Sequence, residues 1–135
     1  MTLAITEAEA RRILRETPFT HSYHVRLLSL AEGECVLEVP FQEVFERPDG
    51  LINGGVFMTT ADVAMWLAIM TRIGFGERAV TSDMQTSFLR GASKVDVRCR
   101  ARILKLGRRL IYGIAECTGH EGQLLTHHTM TYVRL

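Results

Sequence analysis

The sequence predicts an α+β domain in which one antiparallel sheet wraps around a single long helix. Three observations lead there. The stretch from Asn53 to Ala68 is almost wholly apolar and opens on two glycines, a hairpin-like pair of strands precedes it, and four strands joined by short turns or loops follow it. At 135 residues the chain is a single domain, residues 1–135, large enough to bury roughly two thirds of its unfolded surface.

Thr6 and Glu9 have the capping-box spacing, and Ala8, Ala10, Ile13 and Leu14 give a short amphipathic helix that ends before Pro18. From His21 to Leu30 and from Glu34 to Phe41, residues rich in Val, Leu and Tyr flank the turn-like Ala31-Glu32-Gly33, which predicts a hairpin. Gln42 to Gly50 reads as a loop. It leads to the central helix, roughly Gly54 to Ile73, which Gly74 stops. Ala79 to Leu89 is the next strand, and Val95 to Ile103 alternates apolar with charged residues along its whole run. Gly107-Arg108-Arg109 is a turn, Leu110 to Thr118 a strand, Gly119 to Gly122 a turn, and Gln123 to Leu135 the last strand.

Lys and Arg number 16 against 15 Asp and Glu, a balance that argues against a dedicated nucleic-acid or anionic-membrane surface. The expected partner is a small molecule or another copy of the chain. The N-terminus carries acids where a secretory signal would stay apolar, so a cytoplasmic location is expected. Asp62, Arg72 and threonines interrupt the central helix, which reads as a core helix and not a membrane span. Cys35, Cys99 and Cys117 are far apart without C-x-x-C or paired-histidine spacing, so buried free thiols and no metal site are expected.

Asp62 is the acid that this apolar helix carries. Burying an ionised carboxylate without a partner costs several kcal/mol, about enough to erase much of a domain's stability, so Asp62 belongs at an interface, a cleft or a reactive site. The amides that open a helix lack intrahelical acceptors, and glycines at Gly54 and Gly55 allow a ligand to approach them. Such amides favour a carbonyl oxygen that acquires negative charge. The plainer reading stands beside this one: the glycines make a tight turn and Asp62 finds a buried donor. Along the helix, Ala61, Ala64 and Ala68 form a small-residue stripe for the sheet, while Met58, Thr59, Met65, Trp66 and Ile69 flank Asp62 as a pocket wall or as core filler.

These residues resemble the hotdog-fold acyl-CoA thioesterases of the PaaI-like and 4-hydroxybenzoyl-CoA type. Pro48-Asp49-Gly50-Leu51-Ile52-Asn53-Gly54-Gly55 is similar to that family's P-x-G-x-x-H-G-G segment, with Asp62 at the interval of the family's catalytic acid. Thr81-Ser82-Asp83-Met84 and Phe88-Leu89-Arg90-Gly91-Ala92 resemble the strand that follows, and the similarity runs from Tyr23 onward. Two positions depart from the pattern: Asn53 stands at the motif histidine, and Arg47 stands where Asn or Gln is usual before the proline. Asparagine hydrogen-bonds but does not titrate near neutral pH, and arginine accepts no hydrogen bond.

The resemblance implies thioester hydrolysis, with coenzyme A as part of the substrate and no separate cofactor. It implies catalytic roles for Asp62, Gly54, Asn53 and Thr81, with the Gly54 amide on the carbonyl and Asp62 as nucleophile or general base. Substrate contacts are expected from Arg47, Gly55, Met58, Trp66, Arg90, Arg108 and Arg109. Eight helical residues separate Gly54 from Asp62, a rise of about 12 Å, too far for both to engage one thioester carbonyl. The two groups are therefore expected from different subunits of a homodimer, alone or in a dimer of dimers. The alternatives are a non-hydrolytic hotdog protein that binds acyl thioesters or aromatic acids, a hydratase, and a structural oligomerisation domain.

Overall fold

The computed structural model describes residues 2–135. Two short helices, α1 (Glu7–Glu16) and α2 (Pro18–Ser22), precede the hairpin β1 (Arg26–Ala31) and β2 (Glu34–Val39). A 3-10 turn at Glu43–Phe45 leads into the long α3 (Gly54–Ile73), and β3 (Ala79–Phe88), β4 (Val97–Leu106), β5 (Leu110–Thr118) and β6 (Leu124–Arg134) complete the chain.

The capping box forms as its spacing requires. The Thr6 hydroxyl accepts from the Glu9 amide at 3.0 Å and the Glu9 carboxylate accepts from the Thr6 amide at 2.9 Å, satisfying two orphan donors of α1. Pro18 then separates two helices, because it pushes Thr17 into extended backbone and serves as the first residue of the next helix. The expectation of a strand from His21 is corrected here: α2 holds Pro18–Ser22, His24 turns the chain at φ +55°, and β1 opens only at Arg26. The Thr20 hydroxyl donates to the Leu14 carbonyl at 2.7 Å and locks α2 against α1, a tertiary bond that the Val- and Tyr-rich composition of residues 21–30 does not reveal. The strand expected from Val95 begins at Val97 and runs on to Leu106, and the loop expected over 42–50 contains the 3-10 turn.

All strand pairs are antiparallel, in the order β1-β2-β4-β5-β6-β3. The alternation in β2, β4 and β5 turns Cys35, Leu37, Val39, Val97, Cys99, Ala101, Ile111, Ala115 and Cys117 inward. The three cysteines are free and buried. Opposite them Ala61, Ala64 and Ala68 have no exposed surface, so the small-residue stripe lets the sheet close on α3. Gly33, at φ +70°, makes the β1–β2 turn and donates its amide to the Thr71 hydroxyl at 2.9 Å, pinning the hairpin to the last turns of α3. α3 has the length and hydropathy of a membrane span, yet 67% of its most apolar window is buried inside the domain.

One strand stands apart. Along β3 only Ala79 is buried, its outer edge has no strand partner among the described residues, and Val80, Phe88 and Leu89 are 43%, 56% and 57% exposed. A ten-residue unpaired edge with exposed apolar side chains is a surface that natural sheets normally cover.

The approach of α3 to the sheet is tightest at Gly113. A Cβ there would lie 2.5 Å from Met65 Cε and 2.6 Å from the Arg102 carbonyl oxygen, and the backbone neighbour cannot give way. Gly113→Ala is expected to destabilise the domain by about 1–3 kcal/mol in urea denaturation. Gly76→Ala, where a Cβ meets nothing within 4 Å, is expected to stay within about 0.5 kcal/mol of the parent.

Candidate active site

Asp62 lies in the third turn of α3, half-buried at the margin of the core. Thr81 on β3 and Tyr132 on β6 are direct cross-strand partners, so their side chains share one face of the sheet, the face turned to Asp62. Both hydroxyls donate to the same carboxylate oxygen, Oδ1, each at 2.6 Å. The phenol oxygen also lies 2.9 Å from the Asp62 carbonyl, but it has one proton, and the shorter, charge-assisted bond to Oδ1 takes it. Burial above all, and then the charge of Asp62, holds the Tyr132 phenol above its ordinary pKa, so it is a donor at any ordinary pH. Oδ2 has no hydrogen-bond partner among the described residues.

A cleft of about 460 Å³ reaches the carboxylate. Its walls include Ile13, Leu14 and Phe19 from the α1–α2 hairpin, Val63 and Trp66 from α3, and Val80 from β3. Among the described residues, Asp62 is the one charged side chain that lines it. The cleft thus offers an apolar chamber with a single oriented acid at its edge.

The N-terminal end of α3 is built differently. The Asn53 side-chain oxygen accepts from the Gly55 amide at 3.0 Å, its Nδ2 donates to the Phe45 carbonyl at 2.9 Å, and its backbone amide donates to the same carbonyl at 2.9 Å. Asparagine is thus the helix N-cap, and it anchors the preceding 3-10 turn as well. The Gly54 amide keeps no partner among the described residues. A Cβ at Gly54 would lie 2.9 Å from the Phe88 ring, so a larger residue there would require that ring to shift. A second cleft of about 510 Å³ opens here, lined by Gly54, Phe57, Phe88, Arg47 and Arg90.

The sequence-predicted residues therefore fall into two groups. Asp62, Thr81 and Trp66 meet at the first cleft, while Gly54, Arg47 and Arg90 meet at the second. Arg47 is paired with Asp49 at 3.0 Å. Asn53 caps the helix beside the second cleft without lining it, and the exposed Gly55 and Met58 line neither. Arg108 and Arg109 sit on the β4–β5 turn, beyond the end of the sheet where Ile111 pairs with Tyr132, and line neither cleft. Met65 and Ile69 pack into the core. Tyr132 is the residue that sequence reasoning missed. Its inward position follows from the alternation of β6, but nothing near it in sequence announces a carboxylate 70 positions away.

Residues 49–126 match the family described as the Thioesterase superfamily. A candidate esterase of Saccharolobus solfataricus is 28% identical over 100 residues, covering 74% of this chain and 71% of its own length. Among solved structures, a single-residue variant of the phenylacetic acid degradation protein PaaI from Thermus thermophilus superposes with a TM-score of 0.80 at 28% identity, over 87% of this chain and 99% of its own. Zebra fish thioesterase superfamily member 2 gives a TM-score of 0.82 at 28% identity, over 98% of both chains. The sheet wrapped around one helix is thus the hotdog fold.

Because Asn53 supplies both an acceptor and a donor to the start of α3, Asn53→Ala is expected to cost about 1–2 kcal/mol of stability in thermal or urea denaturation. Asn53→Asp keeps the acceptor for Gly55 and is expected to lose less.

Proposed function

The chain belongs to the thioesterase superfamily, and from that premise we propose that it hydrolyses acyl-CoA thioesters at a site shared between two subunits. The observation that carries the reading is Asp62: one oxygen is fixed by two hydroxyls, the other has no hydrogen-bond partner among the described residues, and the residue lines an apolar cleft. In this reading the acyl group occupies the Asp62 cleft. The thioester carbonyl lies at its mouth, and Asp62 Oδ2 either attacks the carbonyl carbon or takes a proton from the water that does so. The carbonyl oxygen becomes an oxyanion, which the unpartnered Gly54 amide of the neighbouring subunit stabilises. Collapse breaks the C–S bond and releases the coenzyme A thiolate; where water attacks, the acid forms in the same step, and where Asp62 attacks, a mixed anhydride forms that a water molecule then hydrolyses to the acid and the free carboxylate.

Two observations support the shared site. Gly54 and Asp62 line separate clefts on one chain, and β3 between them presents an unpaired edge and exposed apolar side chains for a second copy. Arg47 and Arg90, beside Gly54, are suited to the phosphates of the coenzyme. PaaI is described as a phenylacetic acid degradation protein, and a cleft walled by Phe19 and Trp66 accepts an aromatic or aliphatic acyl group. The non-hydrolytic reading draws on Asn53, whose side chain is spent on the helix cap; it requires ligand-induced stabilisation by acyl-CoA without turnover.

A thiol-release assay over short, medium, long and aromatic acyl-CoAs tests the proposal. Asp62→Asn is expected to lower kcat/KM by about 10²–10⁴-fold. Mixing Gly54→Pro subunits with Asp62→Asn subunits is expected to restore about a quarter of wild-type activity, because half the dimers are then mixed and each has one intact site. Silence after demonstrated exchange would refute the shared site. A second carboxylate on the acyl group would meet Asp62 with no cation in the cleft, so succinyl-CoA is expected to be turned over at least about tenfold less efficiently than a neutral acyl-CoA of similar size.

A further inference from the structure

We propose that Tyr132 is a positioning residue of the hydrolytic site, which with Thr81 pins Oδ1 of Asp62 and so makes Oδ2 the oxygen that acts on the thioester. The inference rests on the hydrolytic reading above and adds to it a residue from the last strand.

The register builds the arrangement. Thr81 and Tyr132 are opposite one another on adjacent strands, and the pairing shifts immediately afterwards, with Asp83 opposite Thr131, so that Ser82 is the extra residue of a bulge. A bulge re-aims the side chains beside it, and here the residue before it delivers a hydroxyl to Asp62. Two donors at 2.6 Å on one oxygen are at the short end of hydrogen bonds to carboxylates. They draw charge toward Oδ1 and fix the carboxylate, which leaves Oδ2 without a hydrogen-bond partner among the described residues.

The two donors come from different environments. Thr81 is exposed on the edge strand, whereas Tyr132 is 3% exposed and its oxygen also touches the backbone carbonyl of Asp62. The phenol holds the carboxylate relative to β6, while threonine holds it relative to β3. Tyr132 stays protonated through the assay range, so it acts as a fixed donor and takes no part in proton transfer.

The surroundings make the effect legible. The α1–α2 hairpin contributes Ile13, Leu14, Thr17, Phe19 and Thr20 to the cleft, α3 contributes Val63 and Trp66, and β3 adds Ala79 and Val80. None of these titrates. Tyr132 and Asp62 are the titratable groups facing one another there, so a change at Tyr132 reports on Asp62.

The experiment compares Tyr132→Phe, Thr81→Val, Thr81→Ser and Asp62→Asn by kcat, KM and the pH profile of kcat/KM. Tyr132→Phe keeps the ring and removes the donor. It is expected to lower kcat about tenfold with KM within about twofold, and to move the acid limb of the profile upward by about half a pH unit or more, because the anion loses a hydrogen bond. Thr81→Val is expected to act in the same direction and Thr81→Ser to retain activity. If Tyr132→Phe does not fold, Thr81→Val at its exposed position decides whether pinning of Oδ1 matters. Wild-type kcat and an unmoved acid limb in the folded variants, with Asp62→Asn inactive, would overturn the proposal alone. Full activity of Asp62→Asn would instead overturn the hydrolytic reading.

Discussion

The structure turns on one carboxylate brought to the margin of an apolar helix whose other charged residue, Arg72, lies in its last turn and pairs with Glu32. A twenty-residue apolar helix enclosed by a sheet is stable only if its polar groups are satisfied, and Asp62 is satisfied on one side only. Thr81 and Tyr132 offset the cost of holding the anion against the core, and its second oxygen keeps no partner among the described residues beside the cleft that Asp62 lines. In the proposed mechanism, stability and reactivity are divided between two atoms of one side chain.

That division requires everything around it to be placed by backbone, not by chance side-chain reach. The bulge at Ser82 turns Thr81, the alternation of β6 turns Tyr132, and the alanine stripe lets α3 lie close enough for both hydroxyls to reach it. The α1–α2 hairpin, bound to itself through Thr20, then forms the outer wall of the cleft. A chain without that hairpin would lose the Ile13, Leu14 and Phe19 wall of the cleft and leave the carboxylate more open to water, where charges are screened.

The far end of α3 obeys the opposite rule. There the amide of Gly54 is left without an acceptor, while Asn53 satisfies the amide of Gly55 and ties the helix to the 3-10 turn. Asparagine at this position acts as a cap, which its shorter, non-titrating side chain suits well. The helix thus carries a polarising group at its start and an acid about two turns later, in separate clefts, beside a strand whose outer edge has no strand partner among the described residues. In the proposed shared site, a second copy of the chain is the occupant of that strand.

Sequence alone determined the elements whose signals are local. The capping box of α1, the extent of α3 from Gly54 to Ile73, the turns at Gly33 and Gly107 and the alternating strands all follow from spacing within about ten residues. It also singled out Asp62, because an acid in an apolar helix is unusual, and Gly54, because glycines open that helix. What only the tertiary structure decided is long-range. The helix at Pro18–Ser22 depends on a bond from Thr20 to α1, the exposure of Met58 and the burial of Met65 depend on which face the sheet covers, and the role of Tyr132 depends on contact across 70 residues. Such contacts are set by the order in which strands pair, and residues with the same alternation can be paired in several orders until the whole sheet closes on its helix.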